Sequence, residues 1–481
     1  MDLTEQSARD LTAGLRSGRL SAHRLMQATL ERIGRVNPAI NAVVSLRDAD
    51  ALLSEARAAD LVPVDRRGAL HGLPVAVKDL VATKGLRTTF GSPLYADHLP
   101  DADDLIAARL RGAGAILIGK TNTPEWGHGS HTFNPVHGVT RNPYDPGRSA
   151  GGSSGGAAAA LAARMVALAD GSDMMGSLRN PAAFCNVYGF RPSWGLVPQD
   201  AGGEVFLATL STDGPMARSP GDLALLLDVL AGPNPEVPFC RPVPDLSGLK
   251  SGAWDDAGLK GKRLGWLADW GGAYPMEPGI LTQCGTALEV FRSLGATVDD
   301  LPPPFPAEAL WQSWTTLRAM LNAGSKADLA RDPARRALTK PETLWEIERG
   351  TGLTAAEVHA ASVIRSDWYA AAARLFGDYD ALILPAAQVW PFPAEWRWPI
   401  EVAGRGMDTY HRWMEVVIPV SLIGLPCLAL PAGFGAEGLP TGIQLFGPTG
   451  SDAAILGLGA AYHAATDWPG RCPPALAGQR A

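Results

Sequence analysis

Cysteine is scarce. The chain of 481 residues holds five, Cys185, Cys240, Cys284, Cys427 and Cys472, an odd number with no CxxC pair. A thiolate zinc motif and a disulfide framework are therefore not expected, and each cysteine reads as a small buried hydrophobe. Positive charge is short too: the formal net charge is −7 and no basic tract occurs, which argues against nucleic acid as a partner. No apolar run reaches the roughly 18 residues of a membrane helix, and the opening "MDLTEQSARDLTAGLRSGRLSAHRLM" lacks a signal-peptide core. The expectation is a cytoplasmic protein with no membrane partner. No internal repeat is present.

What the chain does have is a globular composition, 46% hydrophobic with 54 glycines and 39 prolines, which implies many ordered loops. Its length exceeds what one core usually holds, although large α/β enzymes run this long around one sheet. After Ser21 as N-cap, Met26, Leu30 and Ile33 recur at helical spacing. "LPVAVKD" (73–79) reads as a short buried strand, and "LIAARLRGAGAILIGK" (105–120) as helix, glycine stop and strand. The same succession returns in "GILTQCGTALEVFRSLGATVDDL" from Gly279 and in "DYDALILP" from Asp378. Such alternation predicts an α/β fold, a single large domain with a central twisted mixed β-sheet flanked by helices. The proline-rich stretch 232–246 is either a subdomain boundary or a solvated loop.

The stretch "AGGSSGGAA" (150–158) admits several readings. A phosphate loop would need GxxxxGK[ST], and no lysine follows. Linkers are usually longer, whereas this run opens straight into a strong helix former, "AAAALAAR". Gly151–Gly155 fits the GxSxG elbow, but "RNPYDPGRS" before it is a loop where the elbow needs a strand. Two more anomalies stand out. Lys78 ends an apolar strand, so it either sends its ammonium to Asp79 or to water, or is desolvated and serves as a neutral base. In "ADGSDMMGSLRNP" small residues surround Ser172 and Ser177. That is an ordinary glycine turn, or a loop presenting a serine oxygen beside converging N–H groups.

Taken together, "GLPVAVKD" (72–79), "GKTNTPEWG" (119–127), "GGSSGG" (151–156), "GSDMMGSLRNP" (171–181), "GFRPSWGLVP" (189–198), "DGPMARS" (213–219) and "GLPTGIQLFGP" (438–448) resemble the amidase signature family. The resemblance is dense from about Leu3 to Leu230 and thin from Val237 to Met414. It implies an amidase domain over 1–481, with a signature core at 65–230, a variable pocket region at 240–414 and a C-terminal return to the core at 415–475. It also implies a Ser–cisSer–Lys triad: Ser177 as nucleophile, Ser153 after a cis peptide bond as relay, and Lys78 as base. Ser154 reads as structural. The oxyanion hole would come from the N–H groups of Met174, Met175, Gly176 and Ser177, with Met175 where the family usually has glycine. Asp173 and Arg179 would brace the turn. Trp126, Gly127 and Gly129 would contact substrate, Gly127 standing where many relatives carry a larger residue and so leaving room.

The function implied is amidohydrolase action on linear amides or carbamates through a serine acyl-enzyme, with no cofactor. Eleven of fourteen tryptophans lie between Trp254 and Trp413, which favours aryl or bulky apolar substrates. Alternatives are a serine hydrolase acting mainly as esterase, a metal-dependent hydrolase using His128, His131 and His137, and a relative of the tRNA-dependent amidotransferases that works with a partner. The expected partners are a small-molecule amide or carbamate and a second copy of the chain in a homodimer.

Overall fold

The apolar runs singled out above become strands of one mixed sheet of eleven. The computed structural model describes residues 2–200, 202–252 and 259–474, so Trp254 of the tryptophan-rich region and Ala475 at the end of the C-terminal return lie outside them. In chain order the sheet strands are β1 (Val43–Val44), β2 (Pro74–Lys78), β3 (Ile116–Thr121), β4 (Leu168–Asp173), β5 (Tyr188–Arg191), β6 (Thr212–Ala217), β7 (Arg263–Trp266), β8 (Thr297–Asp300), β9 (Ala381–Pro385), β10 (Cys427–Phe434) and β11 (Pro440–Phe446). Across the sheet they run β1-β3-β2-β4-β6-β5-β10-β11-β9-β7-β8. β2 is parallel to β3 and β4, and β7 to β8 and β9. The other neighbours are antiparallel. Strands from before and after the proline-rich stretch pair directly, Cys427 of β10 opposite Arg191 of β5, so the sheet continues across that stretch.

Helices cover the sheet, as sequence periodicity required. In α1 (Ala22–Ile40) the Ser21 hydroxyl accepts from the Arg24 N–H, Met26 and Ile33 are buried, and Leu30 packs against the core from a half-buried position. α2 (Leu105–Gly112) precedes β3 as expected. α3 (Gly155–Ala162) begins two residues before the alanine run and is buried along its whole length, which suits a helix with no polar face. Its glycines let it close on neighbouring backbone: a Cβ on Gly156 would stand 2.2 Å from the Asn122 nitrogen, just past β3. α4 (Arg179–Phe184), α5 (Ala307–Arg331) and α6 (Pro341–Thr351) complete the set that frames the site.

Two compositional expectations need correction. Cys185, Cys284 and Cys427 are buried, but Cys240 and Cys472 are only half-buried, both lying in loops outside the sheet. The structure has two apolar clusters, and among the tryptophans of the variable region Trp270, Trp314, Trp368 and Trp413 are fully buried in the second, which also holds Met175, Phe392 and Val417. These four are core, whereas Trp345 and Trp396 are exposed, so only part of the cluster reports packing.

Because Gly156 meets backbone that has nowhere to move, Gly156→Ala is expected to destabilise the fold by about 1–3 kcal/mol through overpacking. Urea unfolding followed by circular dichroism measures it. An unchanged midpoint would show that α3 does not rest on the Asn122 backbone.

Candidate active site

Because β2 and β4 are parallel neighbours, with Ala76 opposite Ala169, their C-terminal ends emerge at the same edge of the sheet. One carries Lys78 and the other the turn after Asp173. The loop before α3 reaches the same edge through a cis peptide bond between Gly152 and Ser153. Three segments remote in sequence therefore meet at one point.

There the Lys78 ammonium, 1% exposed, donates to three hydroxyl oxygens: Ser153 Oγ at 2.8 Å, Ser154 Oγ at 2.9 Å and Ser172 Oγ at 2.9 Å. Three donors matched to three acceptors is the geometry of the protonated amine. Asp79 is not its partner, for that carboxylate accepts from the Thr89 N–H at 2.9 Å and from its hydroxyl. Burial pulls the Lys78 pKa down to about 8, while the charges of Asp170, Asp213 and Asp173 oppose the shift. Asp170 also fixes the strand end by accepting the Lys78 main-chain N–H at 2.9 Å. Burial, helped by the Asp170 charge, pushes Asp213 up to about 7.

The turn that follows β4 is built around Asp173. Arg179 grips its carboxylate with Nε at 3.0 Å and Nη2 at 2.9 Å, and Arg191 Nη1 adds a contact at 3.1 Å. All three side chains are fully buried. Burial works against the charged carboxylate, but the two guanidinium groups and the turn's N–H donors outweigh it and hold Asp173 well below the usual range. Its oxygens also take the N–H of Gly176 at 2.9 Å and of Leu178 at 3.1 Å. This corrects the expected set of four oxyanion donors: the Gly176 N–H faces Asp173, which leaves Met174, Met175 and Ser177. Gly176 has φ of 80°, and a Cβ there would clash with Asn180 Oδ1 at 2.2 Å, so the turn demands glycine. Met175 needs no such freedom; it is buried in the second apolar cluster and also lines the cavity.

That cavity, about 120 Å³, is lined by Ser153, Ser172, Met174, Met175, Ser177, Trp126, Gly127, Gly129 and, from α5, Arg318, Asn322 and Lys326. Among the described residues no hydrogen bond joins Ser177 to Ser153; they share the cavity wall, with Ser177 8% exposed. Gly127 lines the cavity, and a Cβ there would stand 3.0 Å from Leu80 Cδ1 and 3.5 Å from Ser153 Oγ, so a side chain at this position would press on the relay serine. Trp126 is the one tryptophan on this wall among the described residues. A larger groove of about 550 Å³, lined by Trp390, Trp396 and Phe434 among others, contains none of the serine–lysine set, so the chemistry belongs to the smaller cavity.

The three clustered histidines point apart. His128 bonds Thr343 Oγ1 and Asn322 Oδ1, His131 bonds Ser149 Oγ and the Ala394 carbonyl, and His137 approaches Asp79 and Thr89. Among the described residues no group of three or more His, Cys, Asp or Glu could hold a metal ion. Sequence reasoning passed over Ser172 as a lysine partner, assigned Ser154 a purely structural role, and missed Asp170 and the α5 residues. A signal existed for the last: Arg318, Asn322 and Lys326 recur at i, i+4, i+8 and so share one face of the helix.

Known proteins align with this chain along nearly its whole length. The family model described as Amidase matches residues 24–456. An acylamidase of Rhodococcus erythropolis is 34% identical, with 98% of each chain covered. The A-type subunit of the glutamyl-tRNA(Gln) amidotransferase of Chloroflexus aurantiacus is 36% identical over 95% of this chain and 96% of its own. The crystal structure of a bacterial aryl acylamidase superposes with a TM-score of 0.88 at 26% identity, covering 97% of this chain and 98% of that one.

Removing the charge from Asp173 would leave two buried guanidinium groups without their counter-ion. Asp173→Asn is expected to cost about 3–5 kcal/mol, read as a lowered denaturation midpoint. A variant as stable as the parent would mean that the turn does not depend on this cluster.

Proposed function

The chain belongs to the amidase signature family of hydrolases, and from that premise we propose that it cleaves the C–N bond of a linear amide or carbamate with Ser177 as nucleophile, Ser153 as relay and Lys78 as base. The observation that carries the reading is the 2.8 Å contact between the buried Lys78 amine and Ser153 in a cavity that also holds Ser177. Once Lys78 loses its proton, its nitrogen can accept from the Ser153 hydroxyl instead of donating to it. Ser153 then passes its proton to Lys78 and takes that of Ser177 as Ser177 Oγ forms a bond to the carbonyl carbon, whose oxygen receives the electron pair of the carbonyl π bond. Charge developing on the carbonyl oxygen meets the N–H groups of Met174, Met175 and Ser177. The C–N bond breaks as the proton returns along the relay to the leaving nitrogen, and water releases the acyl group by the same path.

Trp126 and three unbranched, rotatable side chains, Met174, Met175 and Met414, border the cavity. They suit a compact aryl or apolar group, since methionine reshapes readily around a ligand. The kinship to an acylamidase and to an aryl acylamidase structure supports amides of aromatic amines as substrates. The similarity to a subunit of glutamyl-tRNA(Gln) amidotransferase favours a second reading, in which the chain acts with a partner. Turnover of a simple anilide by the isolated chain favours the first.

Two outcomes test the relay. Ser177→Ala should abolish turnover, and Lys78→Ala and Ser153→Ala should each lower kcat by on the order of 10³-fold or more, with the double variant little worse than either because the two act as one unit. Full activity in Ser153→Ala would remove it from the mechanism. The pH dependence has a defined sign: the base must be neutral, and the Lys78 pKa is about 8, so log kcat/KM should climb with unit slope below that value and level off above it. Lys78→Arg should not rescue, because arginine stays protonated. A profile controlled near the ordinary histidine pKa of about 6.5 would contradict the lysine assignment.

A further inference from the structure

The wall of the cavity formed by α5 carries more positive than negative charge. Arg318 is committed on two sides, with Nε to Glu346 Oε1 at 2.6 Å and Nη2 to the Tyr410 hydroxyl at 2.9 Å, but among the described residues its Nη1 meets only the thioether of Met174, at 3.0 Å. One helical turn beyond Asn322, Lys326 donates to Asn322 Oδ1 and Ser325 Oγ, each at 3.2 Å. Among the described residues it has no carboxylate within ion-pair distance. Glu346, the anion on this side, is already shared by Arg318, by Tyr410 and, at 3.7 Å, by His411. His128 and His411 supply no charge, because burial and the neighbouring cations pull both well below the ordinary histidine range. Two cations thus face one anion, and burial together with the Arg318 charge pulls the Lys326 pKa down to about 8, a cost to the ammonium that a bound anion would offset.

We propose that Lys326, with Arg318 Nη1 beside it, is the specificity determinant of this site and binds a carboxylate carried by the substrate, so that the preferred substrate is an amide bearing an acid group a short distance from the scissile bond. The inference rests on the hydrolase reading above and deepens it. Of the common anions a carboxylate fits best: the cavity is only about 120 Å³, and Asn322, which bonds both His128 and Lys326, holds the lysine at its edge. Arg318 positions the site through Met174, the residue next to the turn, and so ties acid recognition to the loop that carries Ser177. Nothing in the serine–lysine relay needs a second lysine, which gives Lys326 a separate task.

The test compares matched pairs. Succinyl-4-nitroanilide against butyryl-4-nitroanilide places the acid on the acyl side, and 4-acetamidobenzoate against 4-methylacetanilide places it on the amine side. In at least one pair the parent protein should prefer the acid by about 10- to 100-fold in kcat/KM, the worth of one charge-assisted hydrogen bond. That preference should collapse towards unity in Lys326→Met, persist in Lys326→Arg, and reverse in Lys326→Glu in favour of an amine-bearing analogue. The arginine variant and a thermal melt separate loss of recognition from loss of fold. A parent protein that cleaves both members of each pair equally well overturns this inference alone. One that cleaves none of the four overturns the reading of this chain as an anilide hydrolase acting alone, and the inference with it.

Discussion

A single cation taken out of water at the end of an apolar strand sets the terms for the rest of the site. Lys78 follows Pro74–Val77, all buried, and no carboxylate lies within ion-pair distance of its ammonium among the described residues. Such a charge is tolerable only if each of its three protons finds an oxygen. Those oxygens come from Ser153 and Ser154 at the entry to α3 and from Ser172 near the end of β4. For them to converge, α3 must begin tight against the backbone after β3, which is what Gly156 allows, and β2 must lie beside β4. The sheet order and the glycine-rich loop are thus two sides of one requirement. Aspartates 170, 173 and 213 sit far enough away to act as a field, keeping the amine's pKa from falling further.

Beside this titratable cation stands a fixed one. Asp173, Arg179 and Arg191 form a buried cluster that cannot lose its charge near neutral pH, since guanidinium groups stay protonated and Asp173 stays ionised. The division is chemically sensible. The cluster braces the turn and takes up the N–H groups of Gly176 and Leu178. The lysine, in contrast, must change its charge state for proton transfer to occur, and its hydroxyl partners can reverse their hydrogen bonds at little cost.

Much of this was legible in the chain. Short apolar runs marked β2 and β3, which are buried along their whole length, and helical spacing before a glycine stop or after a serine cap marked α1 and α2. Lys78 and the serine turns stood out because a charge in a strand and small residues beside a serine are locally odd. The misreadings have a common cause. Tryptophan abundance looked like a substrate surface, yet many of those side chains fill the space between helices, a distinction that depends on contacts distant in sequence. His128, His131 and His137 looked like a cluster because they are neighbours along a loop, but the loop turns each towards a different partner. Which N–H of the turn meets Asp173, and how α5 brings Arg318 and Lys326 to the cavity, are set by tertiary packing, and only the i, i+4, i+8 spacing hinted at the second.

Of the four serines near Lys78, Ser177 alone should form a covalent acyl bond. The most direct measurement is intact mass followed by peptide mapping of protein quenched after reaction with a slowly released aryl carbamate. The predicted result is a single adduct on the peptide holding Ser177, and none in Ser177→Ala. An adduct on Ser153, Ser154, Ser172 or Lys78, or turnover with no adduct and no effect of Ser177→Ala, would contradict it.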